Sequence, residues 1–167
     1  MKLLLLLFFL NQHPADTTAK SGRFIAMEYK GMSNCIYEIT INDSLIMGAK
    51  VNGYITVQPN FGIGTSIPRD VMHNPEAYVS KKKAEKYLDK NMGNDQFIDT
   101  DKQNFIIRRK DVKTVFINTQ PKWGMGYYPQ SGRIMIESPE TPYNKTATHD
   151  LILIGDQNAE EVLQMFK

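Results

Sequence analysis

Residue types that carry out proton transfer, nucleophilic attack or metal binding are few in this chain and far apart. The three histidines, His13, His73 and His149, have no carboxylate or cysteine at ligand spacing. Zinc and acid–base motifs need such spacing, so no metal-ligating or general-acid constellation is legible. Cys35 is the single cysteine, which excludes an intramolecular disulfide. It stands at the start of an expected strand and reads as a small buried hydrophobe rather than a nucleophile. Gly62-Ile63-Gly64 lacks the third glycine and the strand–turn–helix setting of a nucleotide loop. Asn144-Lys145-Thr146 matches a glycosylation sequon, which has meaning only in a secreted eukaryotic chain. The expectation is a non-enzymatic protein with no catalytic residues, no metal and no cofactor. An enzyme would need a concave pocket with titratable groups in contact, and the sequence pairs none.

Residues suited to binding are easier to find. Lys122-Trp123-Gly124-Met125-Gly126-Tyr127-Tyr128-Pro129 joins glycines to large aromatics. Trp and Tyr bury much area at low entropic cost, which suits a protein contact or a membrane-wetting tip. The plain alternative is a loop whose aromatics fold back on the sheet. Arg108-Arg109-Lys110 is a second candidate; in a strand Arg108 and Lys110 point one way and Arg109 the other. It also reads as a polar turn between two strands. Lys81-Lys82-Lys83, with Lys86 and Lys90, suits an anionic membrane surface or a solvated helix face. The candidate binding residues are Trp123, Tyr127, Tyr128, Lys122, Arg108 and Lys110.

The positions of these residues depend on the elements around them. The chain has 167 residues with 41% apolar and 23% charged, ordinary for one globular domain. A net charge of +2 creates no strong field, so no nucleic-acid partner is expected. Lys2 precedes the apolar run Leu3–Leu10, too short to span a bilayer but fitting a secretory signal with small residues at Thr17-Thr18-Ala19. Export or membrane association stands beside a cytoplasmic location as an equal expectation. Residues 1–22 are read as this segment and a polar linker, and 23–167 as one β-rich domain.

Phe24–Tyr29 is a short first strand. Tyr37, Ile39 and Ile41 alternate with polar residues, as do Leu45, Met47, Ala49 and Val51, and both runs read as half-buried strands. Asn42-Asp43 joins them in a tight turn. Asn52-Gly53 reads as a second hairpin leading to a strand over Tyr54–Val57, ended by Pro59. Asn74-Pro75 caps a helix expected over about 75–92, stopped by Gly93. Further strands are expected at Phe105–Ile107, Val112–Asn118, Ile134–Ile136 and His149–Ile154. A closing helix spans about 157–167, capped by Asp156, with Ala159, Val162, Leu163 and Phe166 on one face.

From residue 97 onward this order resembles a bacterial pleckstrin-homology-like domain. The residues that carry the resemblance are Asn104-Phe105-Ile106-Ile107, Asp111-Val112-Lys113-Thr114-Val115, Gly132-Arg133-Ile134-Met135-Ile136, Leu151-Ile152-Leu153-Ile154 and Asn158 to Phe166. With the strands of 35–58 as its first half, the resemblance covers about 35–167, and 60–96 is an insertion. It implies an α+β, mostly β fold: a bent antiparallel sheet or roll of seven strands with a C-terminal capping helix. It also implies a binding or scaffold module that engages a protein or lipid surface. The Asn42-Asp43 turn holds no Lys or Arg, which leaves the family's lipid-headgroup loop in doubt. The alternative is a small cytoplasmic protein that binds and neutralises a toxin or enzyme. Oligomeric state is not legible.

Overall fold

The computed structural model describes residues 21–30, 33–57, 64–87, 95–122 and 125–167. They form a bent antiparallel sheet of seven strands, a few short helical turns and a C-terminal helix. The strands are β1 (Gly22–Lys30), β2 (Ser33–Ile41), β3 (Leu45–Gly53), β4 (Ile55–Val57), β5 (Thr65–Ile67), β6 (Phe105–Arg108), β7 (Thr114–Asn118), β8 (Gln130–Glu137) and β9 (Thr148–Ile154). The helices are α1 (Lys81–Ala84), α2 (Asp95–Thr100) and α3 (Ala159–Gln164). The large sheet runs β6-β3-β2-β1-β9-β8-β7, and β4-β5 form a separate parallel pair.

β1 lies at the centre of this order. It pairs with β2 along its whole length and meets β9 at Met27↔Ile152. Both of its faces are covered, so Phe24 to Glu28 are buried without interruption. Phe24 and Ala26 face an inner core with Tyr37, Ile39, Leu151 and Leu153. Phe105 and Ile107 of β6 and Val115 and Ile117 of β7 pack into this same core from the two edges of the sheet. Edges that share one core require the sheet to curl around it. α3 closes that core with Ala159 and Val162. Ile25, Met27, Ile36 and Ile152 face an outer core roofed by residues of the long β3–β6 connection, among them Tyr78 and Phe97, and by Met125 and Tyr128.

Several expectations change. Asn52-Gly53 is not a hairpin turn; both residues belong to β3. The left-handed residue is Tyr54, at φ 51°. β4 then leaves the sheet and runs parallel to β5. Two forces explain this. β6 occupies the place beside β3, pairing Leu45↔Arg108 through Gly48↔Phe105. The buried Asn34 also holds Ile55 from both sides: its Oδ1 accepts from Ile55 N at 2.8 Å, and its Nδ2 donates to Ile55 O at 2.9 Å.

The helix expected over 75–92 is broken. Asn74 does cap a turn at Pro75–Tyr78, accepting from Glu76 N. Val79 and Ser80 are then extended, and Ser80 N donates to Val51 O. Sheet contacts at Tyr78 and Ser80 override the helical pattern there. α1 and a further turn through Tyr87 follow, and residues 88–92 lie outside the described residues. α2 was not expected; its Phe97 is fully buried. α3 is capped by Asn158, whose Oδ1 accepts from Glu160 N and Glu161 N. Asp156 instead pairs with His73 at 2.9 Å. β1 begins at Gly22, inside the stretch expected to be linker, and β7 begins at Thr114 rather than Val112.

Candidate functional site

Of the six residues proposed from sequence, the five described ones do not form one site. Trp123 lies outside the described residues. Tyr128 is a structural side chain: it is buried, its hydroxyl donates to Ile55 O at 3.1 Å, and its ring meets Tyr78 edge-on. Burial pushes its phenol up to about 12. Lys122 Nζ lies 2.6 Å from Asp150 Oδ2, which Arg133 also contacts at 2.7 Å. This part-buried triad ties the loop to β8 and β9. Tyr127 points outward and is 73% exposed. Arg108 pairs with Asp111 at 2.6 Å, and Lys110 is exposed. Arg108 sits opposite Leu45, whereas Tyr128 reaches Ile55, beyond the far end of β3. At 3.3 Å per residue the two groups stand roughly 25 Å apart.

Tyr127 instead has companions that sequence reasoning missed. Tyr54, 62% exposed, stands at the same end as Ile55 and Tyr128. Tyr29, half-buried at the end of β1, is an electrostatic neighbour of Tyr127. Tyr54 is held in its left-handed conformation from both sides. Its N donates to Asn34 O at 3.0 Å, and its O accepts from Thr65 N at 2.8 Å. Gly64, at φ 82°, approaches so closely that a Cβ there would collide with Tyr54 O. A non-glycine residue in this region costs about 1 kcal/mol or more, so the surrounding bonds must enforce it.

On the inner face, at this same end of β1, lies a buried polar cluster. Glu28 and His149 are 3% and 1% exposed. Lys30 Nζ is 2.7 Å from Glu28 Oε2, and Asp150 N donates to Glu28 Oε1 at 3.3 Å. His149 Nε2 lies 2.8 Å from Asn144 Oδ1. Asn144 Nδ2 donates to Ser138 Oγ, which leaves Oδ1 to accept, so Nε2 carries the proton that His149 donates. Nδ1 faces Glu28 Oε1 at 3.4 Å, an ion-pair distance rather than a hydrogen bond. The His149 ring stacks on Phe105 at 3.9 Å. Burial pushes the Glu28 carboxyl up, but His149 and Lys30 outweigh it and hold it below its ordinary value. Burial pushes the Cys35 thiol up, and Sγ donates to Gln103 Oε1 at 3.2 Å.

This cluster contains the titratable contact that an enzyme would need, and the sequence hid it because Glu28 and His149 are far apart in the chain. Nε2 is held by Asn144, Nδ1 faces a carboxylate, and the thiol is buried and protonated. Among the described residues, no group of three His, Cys, Asp or Glu side chains is placed to hold a metal.

His149 and Lys30 border a cleft of about 180 Å³ between the turn before β6 and the β8–β9 loop. Lys102, Gln103, Lys145 and Thr146 also line it. Comparison with protein-family models, with curated proteins and with solved structures finds no match.

Proposed function

We propose that the chain is a non-enzymatic binding module that engages a protein partner through the end of the sheet bearing Tyr54 and Tyr127. The observation that carries this reading is the presence of two highly exposed tyrosines at one end, one of them locked at positive φ. Tyrosine offers a rigid amphipathic surface suited to protein contacts. Local strain enforced by its surroundings accords with a working surface rather than a neutral loop. A protein is favoured over an anionic membrane because what this rim exposes is tyrosine, while Lys122 contacts Asp150 and Lys30 contacts Glu28. The strand order and the closing helix also support the pleckstrin-homology-like resemblance and the binding role it implies.

The test is affinity purification from the native host with wild type and a Tyr54→Gly/Tyr127→Ala variant. The expected result is a stoichiometric partner held by wild type and lost by the variant. Tyr54→Gly relieves left-handed strain, so the variant is expected to melt no lower than wild type, with a gain of up to about 1 kcal/mol. Recovery of the same partner by both forms, or binding only to lipid vesicles, would reject the reading.

A further inference from the structure

β6 is an edge of the large sheet, with β3 as its one strand neighbour among the described residues. Successive residues of a strand turn their backbone groups to opposite sides. Arg109 N donates to Ser44 O, just before β3, so Ile107 and Phe105 also turn toward β3. Ile106 N donates to Tyr143 O at 2.9 Å on the other side, so Ile106 and Arg108 point their backbone groups away from the sheet. Beyond that one bond, the Ile106 carbonyl and the Arg108 N–H have no partner among the described residues. Tyr143 N does not return to Ile106; it donates to Thr141 Oγ1 at 3.2 Å. Pro139 and Pro142 of the same loop have no N–H to offer. The β8–β9 loop therefore covers one place on this edge and leaves the next one open.

The open place is a cleft of about 290 Å³, the volume of roughly ten water molecules. Ile106, Ile107 and Arg108 form one side of it, and Pro139, Pro142 and Tyr143 the other. A carbonyl and an N–H two residues apart on one edge match a single residue of a strand running parallel to β6. Placed opposite Ile107, that residue donates its N–H to Ile106 O and accepts from Arg108 N. Antiparallel pairing at Ile106 would need the N–H that Tyr143 O already holds. The Arg108 end of the edge is also cationic. Arg108 gives its Nε to Asp111 and keeps its outer N–H groups to donate. Arg109 donates to the neutral carbonyls of Asn42 and Met165. Lys110 is exposed, and Asp43 is the carboxylate that shares its hollow. We propose that the β6 edge binds an extended peptide segment of a partner protein, paired parallel to β6. An apolar side chain fills the cleft and an acidic one lies against Arg108. Main-chain bonds then supply affinity, while the cleft and the charge supply selectivity. This edge stands beside the Leu45 end of β3, away from the tyrosine rim, and does not depend on it.

The test is selection of random eight-residue peptides, displayed on phage, against the full chain, then fluorescence-anisotropy titration of the selected peptides. Arg108→Pro removes the outward N–H. Arg108 sits at φ −73° and ψ 131°, a geometry proline adopts, and its N–H makes no bond to β3, so the fold is expected to persist. Arg108→Ala keeps that N–H and removes the guanidinium alone. Circular dichroism with the unfolding midpoint checks both variants. The expected peptides carry an apolar residue and an Asp or Glu, and bind one-to-one. Their affinity should fall about threefold in Arg108→Ala. It should fall about tenfold or more beyond that in Arg108→Pro. N-methylation at one interior residue of a selected peptide should remove its binding to wild type, which reads the bond to Ile106 O without altering the protein. The Tyr54→Gly/Tyr127→Ala variant should bind the peptides as wild type does; loss there would place them at the tyrosine rim and overturn the proposal. Failure to select any peptide, or equal binding by Arg108→Pro and Arg108→Ala, would also overturn it. So would a dimer in sedimentation that Arg108→Pro dissolves, because the edge would then belong to a second copy of the chain.

Discussion

Glu28 is a carboxylate inside a hydrophobic core, and its burial is acceptable only because each oxygen has a partner. Lys30 meets Oε2, while the Asp150 amide and His149 face Oε1. Removing one member of such a cluster leaves buried groups without their counter-charge, which typically costs several kcal/mol. Glu28→Gln is therefore expected to destabilise the fold by about 3 kcal/mol at neutral pH, read by urea unfolding. The sign of the pH dependence follows from the lowered carboxyl. Its folded value lies below the ordinary 4.5, so its contribution is fully present above that value. The contribution is lost as pH falls through the lower folded value. Wild type should lose stability more steeply than Glu28→Gln on the acid side, and parallel acid titrations would refute the assignment. None of this was legible from composition. The sequence shows a Glu in β1 and a His in β9, and only the pairing of β1 with β9 brings them together.

At the scale of elements, apolar patterning located most strands, by period-two alternation in some and by continuous apolar runs in others. Phe105-Ile106-Ile107, Ile134 and Ile136, and Leu151 to Ile154 all lie in strands as expected. The pattern failed where the backbone had competing partners. Asn52-Gly53 has strong hairpin chemistry, yet Asn34 captures the backbone of Ile55, and the turn forms one residue later at Tyr54. Gly48 shows the opposite case, a strand glycine with a packing purpose. It stands opposite Phe105, and a Cβ at Gly48 would lie 2.1 Å from Phe105 Cε1. That ring is confined by His149 at 3.9 Å and by Tyr37 at 5.5 Å, so it has little freedom to retreat. A ring covering a bare glycine on the neighbouring strand recovers the packing that the glycine lacks. Gly48→Ala is expected to cost about 1–3 kcal/mol from overpacking, measured by the unfolding midpoint. An unchanged midpoint would show that the ring moves freely. α3 was legible from its apolar spacing, but its cap was displaced two residues, to Asn158, because Asp156 turns toward His73.

For the molecule as a whole, order within the sheet sets the hierarchy of stability. β1, β2 and β9 lie inside the sheet, with covered faces and neighbours on both sides. Among the described residues β7 is an edge strand with β8 as its one strand neighbour, and its Phe116 is exposed. Hydrogen exchange should therefore be slowest in β1, β2 and β9, through global unfolding, and fastest among the strands of the large sheet in β7. Faster exchange in β1 than in β7 would contradict this order. The sequence by itself determined the strand-rich character, the apolar faces, the closing helix and the lack of a local catalytic motif. These follow from side-chain periodicity and from residues close in the chain. Tertiary structure alone decided that β1 is central, that β6 takes the place beside β3, and that Glu28 meets His149. It also decided that Tyr54 and Tyr127 lie at one end of the sheet and that three distant lysines share one cleft. The physical reason is that periodicity specifies which face a side chain presents, whereas strand order and loop path specify which residues face it. Those depend on competition among long-range partners for the same backbone groups and the same core volume.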